Sequence, residues 1–454
     1  MTTAPGWVPP RTSLFTDHYE LTMLQAALHS GAAHRRSVFE AFARRLPDGR
    51  RYGVVAGTGR LLEGLSEFRF GQTELDYLAA HKVVNEETLA WLADFKFSGT
   101  VTGYAEGEIY FPNSPILTIE STFAEACILE TYVLSVLNHD SAIASAASRM
   151  IGAAGGRPCI EMGSRRTQEE SAVAASRAAV IAGFMSTSNL EAGLRYGIRT
   201  LGTAAHSFTL LHDTEREAFA AQLESLGVDT TLLVDTYDVE TAVRTAVELA
   251  GPGLGGVRLD SGDLVAQARE VRTLLDSLGN THTRITVTSD LDEYAIAALA
   301  SAPVDSYGVG TSLVTGSGAP TASMVYKLVS RQDDDGNYVS VAKAAKNKAS
   351  VGGHKYAMRR KDARGIATAE IVGVGSRPLD DGNDRALVET FMVDGVLAPG
   401  WTGAEGVARA TERHRASMAE LPGAARRLQR GEPVIPTEYE YTAADAPAGA
   451  AAAQ

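Results

Sequence analysis

The segment GGVRLDSGDL places Asp260 and Asp263 around a Ser-Gly turn that follows a short apolar run. Two acids at this spacing can hold Mg²⁺, grip sugar hydroxyls or stabilise positive charge developing at an anomeric carbon. A structural role is also open, because Asp263 or Ser261 would cap a following helix. In SYGVGTSLVTG, Gly308, Gly310, Thr311 and Ser312 offer backbone N–H groups to a phosphate without side-chain obstruction. The spacing is neither of the familiar nucleotide-loop patterns, and a tight connection is the plain alternative. His206 in GTAAHSF could act as base, metal ligand or phosphoryl acceptor, or be structural. His212 lies six residues on, out of register for a zinc pair. Arg165 and Arg166 follow EMGS and could anchor an anion through paired N–H donors, or form exposed ion pairs worth about 0–1 kcal/mol.

The elements that must carry these residues follow from a repeated pattern between Arg157 and Gly310. Short apolar runs end in polar residues and give way to helices, the ends reading PCIEMGSRR (158–166), RTLGTAAHS (199–207), TLLVDTYD (231–238), GGVRLDSGD (255–263), RITVTSD (284–290) and DSYGVGTS (305–312). Such strand ends are where parallel α/β barrels build active sites. After Asp263, the residues Leu264, Ala268, Val271, Leu274, Leu275 and Leu278 share one helical face and Gly279 follows as a stop. Asp290 and Glu293 have capping-box spacing, and Asp238 opens a helix that closes at Gly251 and Pro252. Near the start, TDHYELTML reads as a capped helix from which Tyr19 could stack on a flat ligand.

Outside the alternating block, residues 98–120 predict short antiparallel strands with turns at Gly103, Gly107 and Asn113. Residues 324–400 predict more of the same, with a DDDGN turn at 333–337. The expected fold is α/β: an irregular TIM-like α/β barrel over 126–334, and a mixed α+β domain formed discontinuously from both chain ends, 12–125 with 335–440. Residues 441–454, rich in alanine, are expected to form a flexible tail.

At 454 residues and 44% hydrophobic content, two domains plus tails are expected. A net charge of -13 argues against a sequence-independent grip on nucleic acid. The opening MTTAPGWVPPRTSLF lacks the pattern of a secretory signal, and no run approaches the roughly 18 apolar residues of a membrane span. Cys127 and Cys159 sit in apolar surroundings, which predicts buried thiols, a reducing compartment and a cytoplasmic protein.

Seven segments taken together, FTDHYELTM, FEAFARRLP, EMGSRRT, AGFMSTSNLEAGLRYGI, GTAAHSF, RLDSGD and YGVGTSLVT, resemble the signature series of bacterial nicotinate phosphoribosyltransferases, in the family's order across residues 14–356. The resemblance implies a type II phosphoribosyltransferase fold and a ligase-type, ATP-hydrolysing reaction. Phosphoribose would pass from 5-phosphoribosyl 1-pyrophosphate to nicotinate, giving nicotinate mononucleotide and pyrophosphate, with Mg²⁺ as cofactor and ATP as co-substrate. On that mapping His206 matches the phosphohistidine, and Asp260 and Asp263 attend ribose and metal-bound pyrophosphate, Asp263 being the candidate Mg²⁺ contact. Arg258, Ser261, Gly262, Gly308, Gly310, Thr311 and Lys348 match phosphate contacts. Tyr19 resembles a stacking residue supplied across a homodimer interface, Arg165 a carboxylate anchor, and Ser188 the position where related nicotinamide enzymes carry an aspartate. A neutral hydroxyl suits a carboxylate that an acid would repel.

The likeness weakens in SVAKAAKNKASVGGHK, where Ala344, Ala345, Gly352 and Gly353 depart from the family pattern. This basic stretch, with Lys343, Lys346, Lys348, His354 and Lys355, reads as a phosphate-contacting loop or a solvated surface. The competing readings are a nicotinamide or quinolinate phosphoribosyltransferase and a non-catalytic nucleotide-binding relative. Quinolinate, with two carboxylates, would want more converging cations than Arg165 and Arg166 supply.

Overall fold

The computed structural model describes residues 12–343 and 350–441. Lys346, Lys348 and the expected tail from 442 onward lie outside the described residues. The chain divides into two compact units, residues 1–145 with 319–454, and residues 146–318.

In the second unit, six short strands run parallel: Cys159–Glu161, Ser186–Thr187, Thr231–Leu233, Gly256–Leu259, Arg284–Ser289 and Ser306–Val309. Their spatial order is Ser186–Thr187, Cys159–Glu161, Ser306–Val309, Arg284–Ser289, Gly256–Leu259, Thr231–Leu233. Ile160, Leu232, Val257, Leu259, Ile285, Val287 and Val309 are buried, as expected of strands covered on both faces. Helices follow the strands and pack by their apolar faces. Leu264–Ser277 buries Ala268, Val271 and Leu275, and the side chain of Asp263 accepts from Ala266 N at 3.1 Å as its N-cap. Asp238 caps Val239–Ala250 through Thr241 N, as its spacing predicted. The cap of Glu293–Ala298 is Asp292, which accepts from Tyr294 N and Ala295 N, whereas capping-box spacing pointed to Asp290.

The expected barrel is corrected in one respect. The outer strands Ser186–Thr187 and Thr231–Leu233 are not joined by a ladder, so among the described residues the sheet is open. Where a further strand was expected before His206, the chain makes a single bridge, Thr187 to Thr200, and residues 201–205 carry no regular structure. Gly202, Ala204 and Ala205 offer too little apolar surface to hold a strand there.

The first unit is built on a seven-stranded antiparallel sheet in the order Tyr338–Ser340, Met324–Gln332, Arg36–Ala43, Leu117–Thr122, Thr100–Tyr104, Val388–Val393, Val396–Leu397. A four-stranded sheet orders Arg385–Ala386, Lys355–Lys361, Ala367–Val374 and Thr437–Tyr441. Met324–Gln332, expected from sequence among the antiparallel strands of residues 324–400, pairs with Arg36–Ala43, a non-local partner that sequence spacing cannot show. The core includes Leu24, Leu61, Phe68, Phe95, Ile119, Tyr326 and Phe391. Gly103, expected at a turn, lies inside Thr100–Tyr104, where a Cβ would stand 2.2 Å from Ile116 O. Lys355 is not a free surface cation: its Nζ is held by both carboxylate oxygens of Glu40 at 2.9 and 3.0 Å, and both side chains are buried.

Glu108, buried in the same unit, carries a testable charge network. Arg385 donates to both of its oxygens at 2.9 and 3.0 Å, Ser417 Oγ donates as well, and Arg359 lies 3.7 Å away. Burial alone would raise this carboxyl, but Arg385 and Arg359 outweigh it and hold it down at about 2. A folded-state value below the unfolded one means that Glu108 contributes stability above about pH 4.5, lost as pH falls toward about 2. Glu108→Ala should therefore lower the thermal midpoint at neutral pH, by about 3 kcal/mol of stability, and flatten the acid limb of the stability profile. An unchanged midpoint would refute the assignment.

Candidate active site

The polar strand ends of the second unit enclose a cavity of about 480 Å³. It is lined by Met162, Arg165 and Arg166 from the first strand end, Ser188 from the next, and residues 201–206 including His206. Arg258 and Asp260, then Thr288, Ser289 and Asp290, then Gly308, Gly310 and Thr311 complete it. Nine of the candidate site residues read from sequence therefore share one cavity: Arg165, Arg166, Ser188, His206, Arg258, Asp260, Gly308, Gly310 and Thr311.

Others do not line it. Asp263, Ser261 and Gly262 are exposed on the adjoining turn, where Gly262 has φ +83° and Asp263 uses its carboxylate as a helix cap. Tyr19 belongs to the other unit, on helix His18–Ser30, and is 46% exposed. Burial and the carboxylates of Glu130, Glu20 and Asp17 push its phenol up to about 12, so the ring stays neutral at any physiological pH.

His206 opens the short helix His206–Leu211, with its side chain 40% exposed. Its Nδ1 lies 3.1 Å from Thr236 Oγ1, and its Nε2 lies 3.9 Å from both Asp235 Oδ1 and Asp260 Oδ2. Asp235 is the residue that sequence reasoning left vague. Its side chain is 2% exposed, and its Oδ2 accepts from Asp260 N at 2.9 Å and Ser261 Oγ at 2.7 Å. It thus braces the backbone of the Ser-Gly turn against the imidazole. The signal was present in TLLVDTYD, an acid closing an apolar run, but its partners lie 25 and 26 residues away, just past the neighbouring strand. Thr288 Oγ1 donates to Asp260 Oδ1 and leaves Oδ2 on the His206 side.

Three guanidiniums, those of Arg165, Arg166 and Arg258, share this cavity. Burial lowers the Arg258 guanidinium, Asp260 and Asp235 oppose that shift, and Arg165 adds to it. Arg258 also donates to Thr203 Oγ1. Gly308 is explained by close packing as well as by any ligand: a Cβ there would meet Thr288 Cγ2 at 2.5 Å and Met162 Sδ at 2.7 Å. The cavity can therefore hold anionic groups by its guanidiniums and backbone amides, while Asp260 and His206 face each other for polar chemistry.

The backbone shares its fold with two solved structures. It superposes on human nicotinic acid phosphoribosyltransferase with a TM-score of 0.78 at 24% identity, covering 95% of this chain and 98% of that one. It also superposes on nicotinate-nucleotide pyrophosphorylase from Pyrococcus furiosus with a TM-score of 0.71 at 22% identity, covering 93% and 99%. Residues 14–138 match the family model of the nicotinate phosphoribosyltransferase N-terminal domain. A nicotinate phosphoribosyltransferase of Mycobacterium tuberculosis is 55% identical over 435 residues, 93% of this chain and 94% of that protein. The Bacillus subtilis enzyme of the same name is 36% identical over 351 residues, 75% of this chain and 71% of that protein. The chain belongs to the nicotinate phosphoribosyltransferase family.

Proposed function

We propose that this protein transfers phosphoribose from 5-phosphoribosyl 1-pyrophosphate to nicotinate, coupled to hydrolysis of ATP, and so returns nicotinate to NAD synthesis. The observation that carries the reading is the meeting of Arg165, Ser188, His206, Asp260 and the Gly308–Thr311 segment in one cavity of a chain with this family membership.

Each group has a physical task. Arg165 offers paired N–H donors to the pyridine carboxylate, and the uncharged Ser188 leaves that anion unopposed. Gly308, Gly310 and Thr311 receive the 5′-phosphate, with Arg258 neutralising charge beside them. Asp260 stabilises the oxocarbenium-like charge that develops as the bond to pyrophosphate breaks and the pyridine nitrogen attacks. His206 attacks the γ-phosphorus of ATP, ADP leaves, and the phosphoryl group is later lost to water, which drives transfer forward.

The donor set suits a Mg²⁺ ion carried in on pyrophosphate, since Mg²⁺ is commonly held by one or two carboxylates plus substrate phosphates. Asp260 and Asp290 line the cavity and would hold it, with Asp263 capping its helix nearby. The ion supplies charge neutralisation on the leaving group. The buried free thiols Cys127 and Cys159 suit a reducing, cytoplasmic setting. Among the described residues no helix is long and apolar enough to cross a membrane. Incubation with nicotinate, phosphoribosyl pyrophosphate, Mg²⁺ and ATP should yield nicotinate mononucleotide together with ADP, and absence of the mononucleotide would overturn the proposal.

Tyr19 stacks on the pyridine of a second copy in the homodimer that completes the site. Support comes from exposed apolar side chains, Phe15 (61%) on the unit that carries Tyr19 and Leu190 (77%), Leu210 (61%) and Leu211 (78%) on the unit that carries the cavity. Tyr19→Ala and Asp260→Asn homodimers should each be nearly inactive. Mixing and re-equilibrating them should restore activity, since one site in the mixed dimer is then intact. No recovery, with mixed dimers shown to form, would contradict the shared site.

A further inference from the structure

Glu161 is fully buried at the end of strand Cys159–Glu161, and it takes no part in the chemistry described above. Its carboxylate has no ion pair among the described residues. It accepts instead from Gly163 N, from Ser176 Oγ at 2.9 Å and from Thr187 Oγ1. A buried carboxylate solvated only by neutral donors is costly to keep. The donors explain where it is placed. Gly163 begins the turn that presents Arg165, and Thr187 immediately precedes Ser188. Glu161 pairs in register with Thr187 across the parallel ladder, and its carbonyl accepts from Ser188 N at 2.8 Å.

The contacts continue into a closed ring. Asn189 N donates to Thr187 Oγ1 at 2.9 Å, and Asn189 Nδ2 donates to Ser164 Oγ at 3.0 Å. Ser164 immediately precedes Arg165. From Glu161 through Thr187 and Asn189 to Ser164, the ring bridges the two segments that carry the proposed pyridine-reading side chains twice, at Glu161–Thr187 and at Ser164–Asn189. We infer that Glu161, Thr187, Asn189 and Ser164 are positioning residues that fix the separation of Arg165 from Ser188, and thereby set affinity and selectivity for a pyridine carboxylate. This inference rests on the nicotinate reading.

Thr187→Val is the test, because it keeps the branched shape while removing the hydroxyl that both Glu161 and Asn189 use. The expected result is a rise of about tenfold in KM for nicotinate and a comparable loss of nicotinate-over-nicotinamide preference. The maximal rate, KM for phosphoribosyl pyrophosphate and phosphoryl labelling of His206 by ATP should stay within about twofold. Thr187→Ser should restore both pyridine values. Asn189→Ser provides a second arm, since serine still caps helix Leu190–Tyr196 but is too short to reach Ser164. It should raise KM for nicotinate in the same sense. A folded Thr187→Val with unchanged nicotinate KM overturns the inference, as does a uniform fall in every parameter, which would mark the ring as merely structural. Wild-type protein that fails to turn over nicotinate would instead sink the reading on which the inference stands.

Discussion

His206→Ala is expected to abolish acid-labile incorporation of the γ-phosphoryl group of ATP and to uncouple ATP hydrolysis, while slower phosphoribosyl transfer persists. The imidazole is half-exposed at the cavity, with Nδ1 3.1 Å from Thr236 Oγ1 and Nε2 facing Asp235 and Asp260 at 3.9 Å. That leaves it accessible to a phosphate yet braced by a hydroxyl on one side and carboxylates on the other. Alanine removes the nucleophile without removing Arg165, Ser188 or Gly308–Thr311, so the substrates still meet. The forward rate at limiting phosphoribosyl pyrophosphate should fall on the order of 10²-fold, the scale of a lost positioned catalytic group. Labelling with γ-labelled ATP, read before and after mild acid, checks this. Label that persists in the variant would remove the phosphohistidine role.

Asp260→Asn should lower turnover by about 10²–10³-fold, with a far smaller effect on KM for nicotinate. Its Oδ1 is held by Thr288 and its backbone N–H by Asp235, so Oδ2 carries a fixed negative charge into the cavity. Asparagine preserves shape but not charge, and the loss falls on the transition state where positive charge develops, not on the ground-state pyridine. Steady-state kinetics would show a collapse in kcat with nearly constant nicotinate KM. An unchanged kcat would contradict the assignment.

Much of the site could be read along the sequence because the relevant information is local. A strand end, a glycine or a helix cap leaves its mark within a few residues, which is why His206, Asp260 and Gly308–Thr311 emerged from spacing and motif alone. Asp238 was recognised as a cap for the same reason, and Asp290 was mistaken for one because Asp292 offers the same chemistry two residues on. What stayed hidden depends on pairing across strands. The bracing by Asp235 and the ring around Glu161 exist only because Glu161 lies beside Thr187, and Asp235 beside the Asp260 turn, in the folded sheet. Whether the sheet closes is equally non-local: residues 201–205 would have had to pair along their length, and their small side chains give them no reason to. Lys355 misled in the opposite direction. A cation in a basic, glycine-containing stretch suggests a phosphate loop, and only the ladder of Lys355–Lys361 shows that it turns inward to Glu40.

The fold alone does not choose the pyridine, since both solved structures named above share it at similar identity. In the proposed reading that choice falls to Arg165 and Ser188. The most direct measurement is turnover of nicotinate, nicotinamide and quinolinate in parallel, each with phosphoribosyl pyrophosphate, Mg²⁺ and ATP, with mononucleotide and ADP quantified. Nicotinate should be used in strong preference and with ADP formed alongside the mononucleotide; preferential use of nicotinamide or quinolinate would contradict the account.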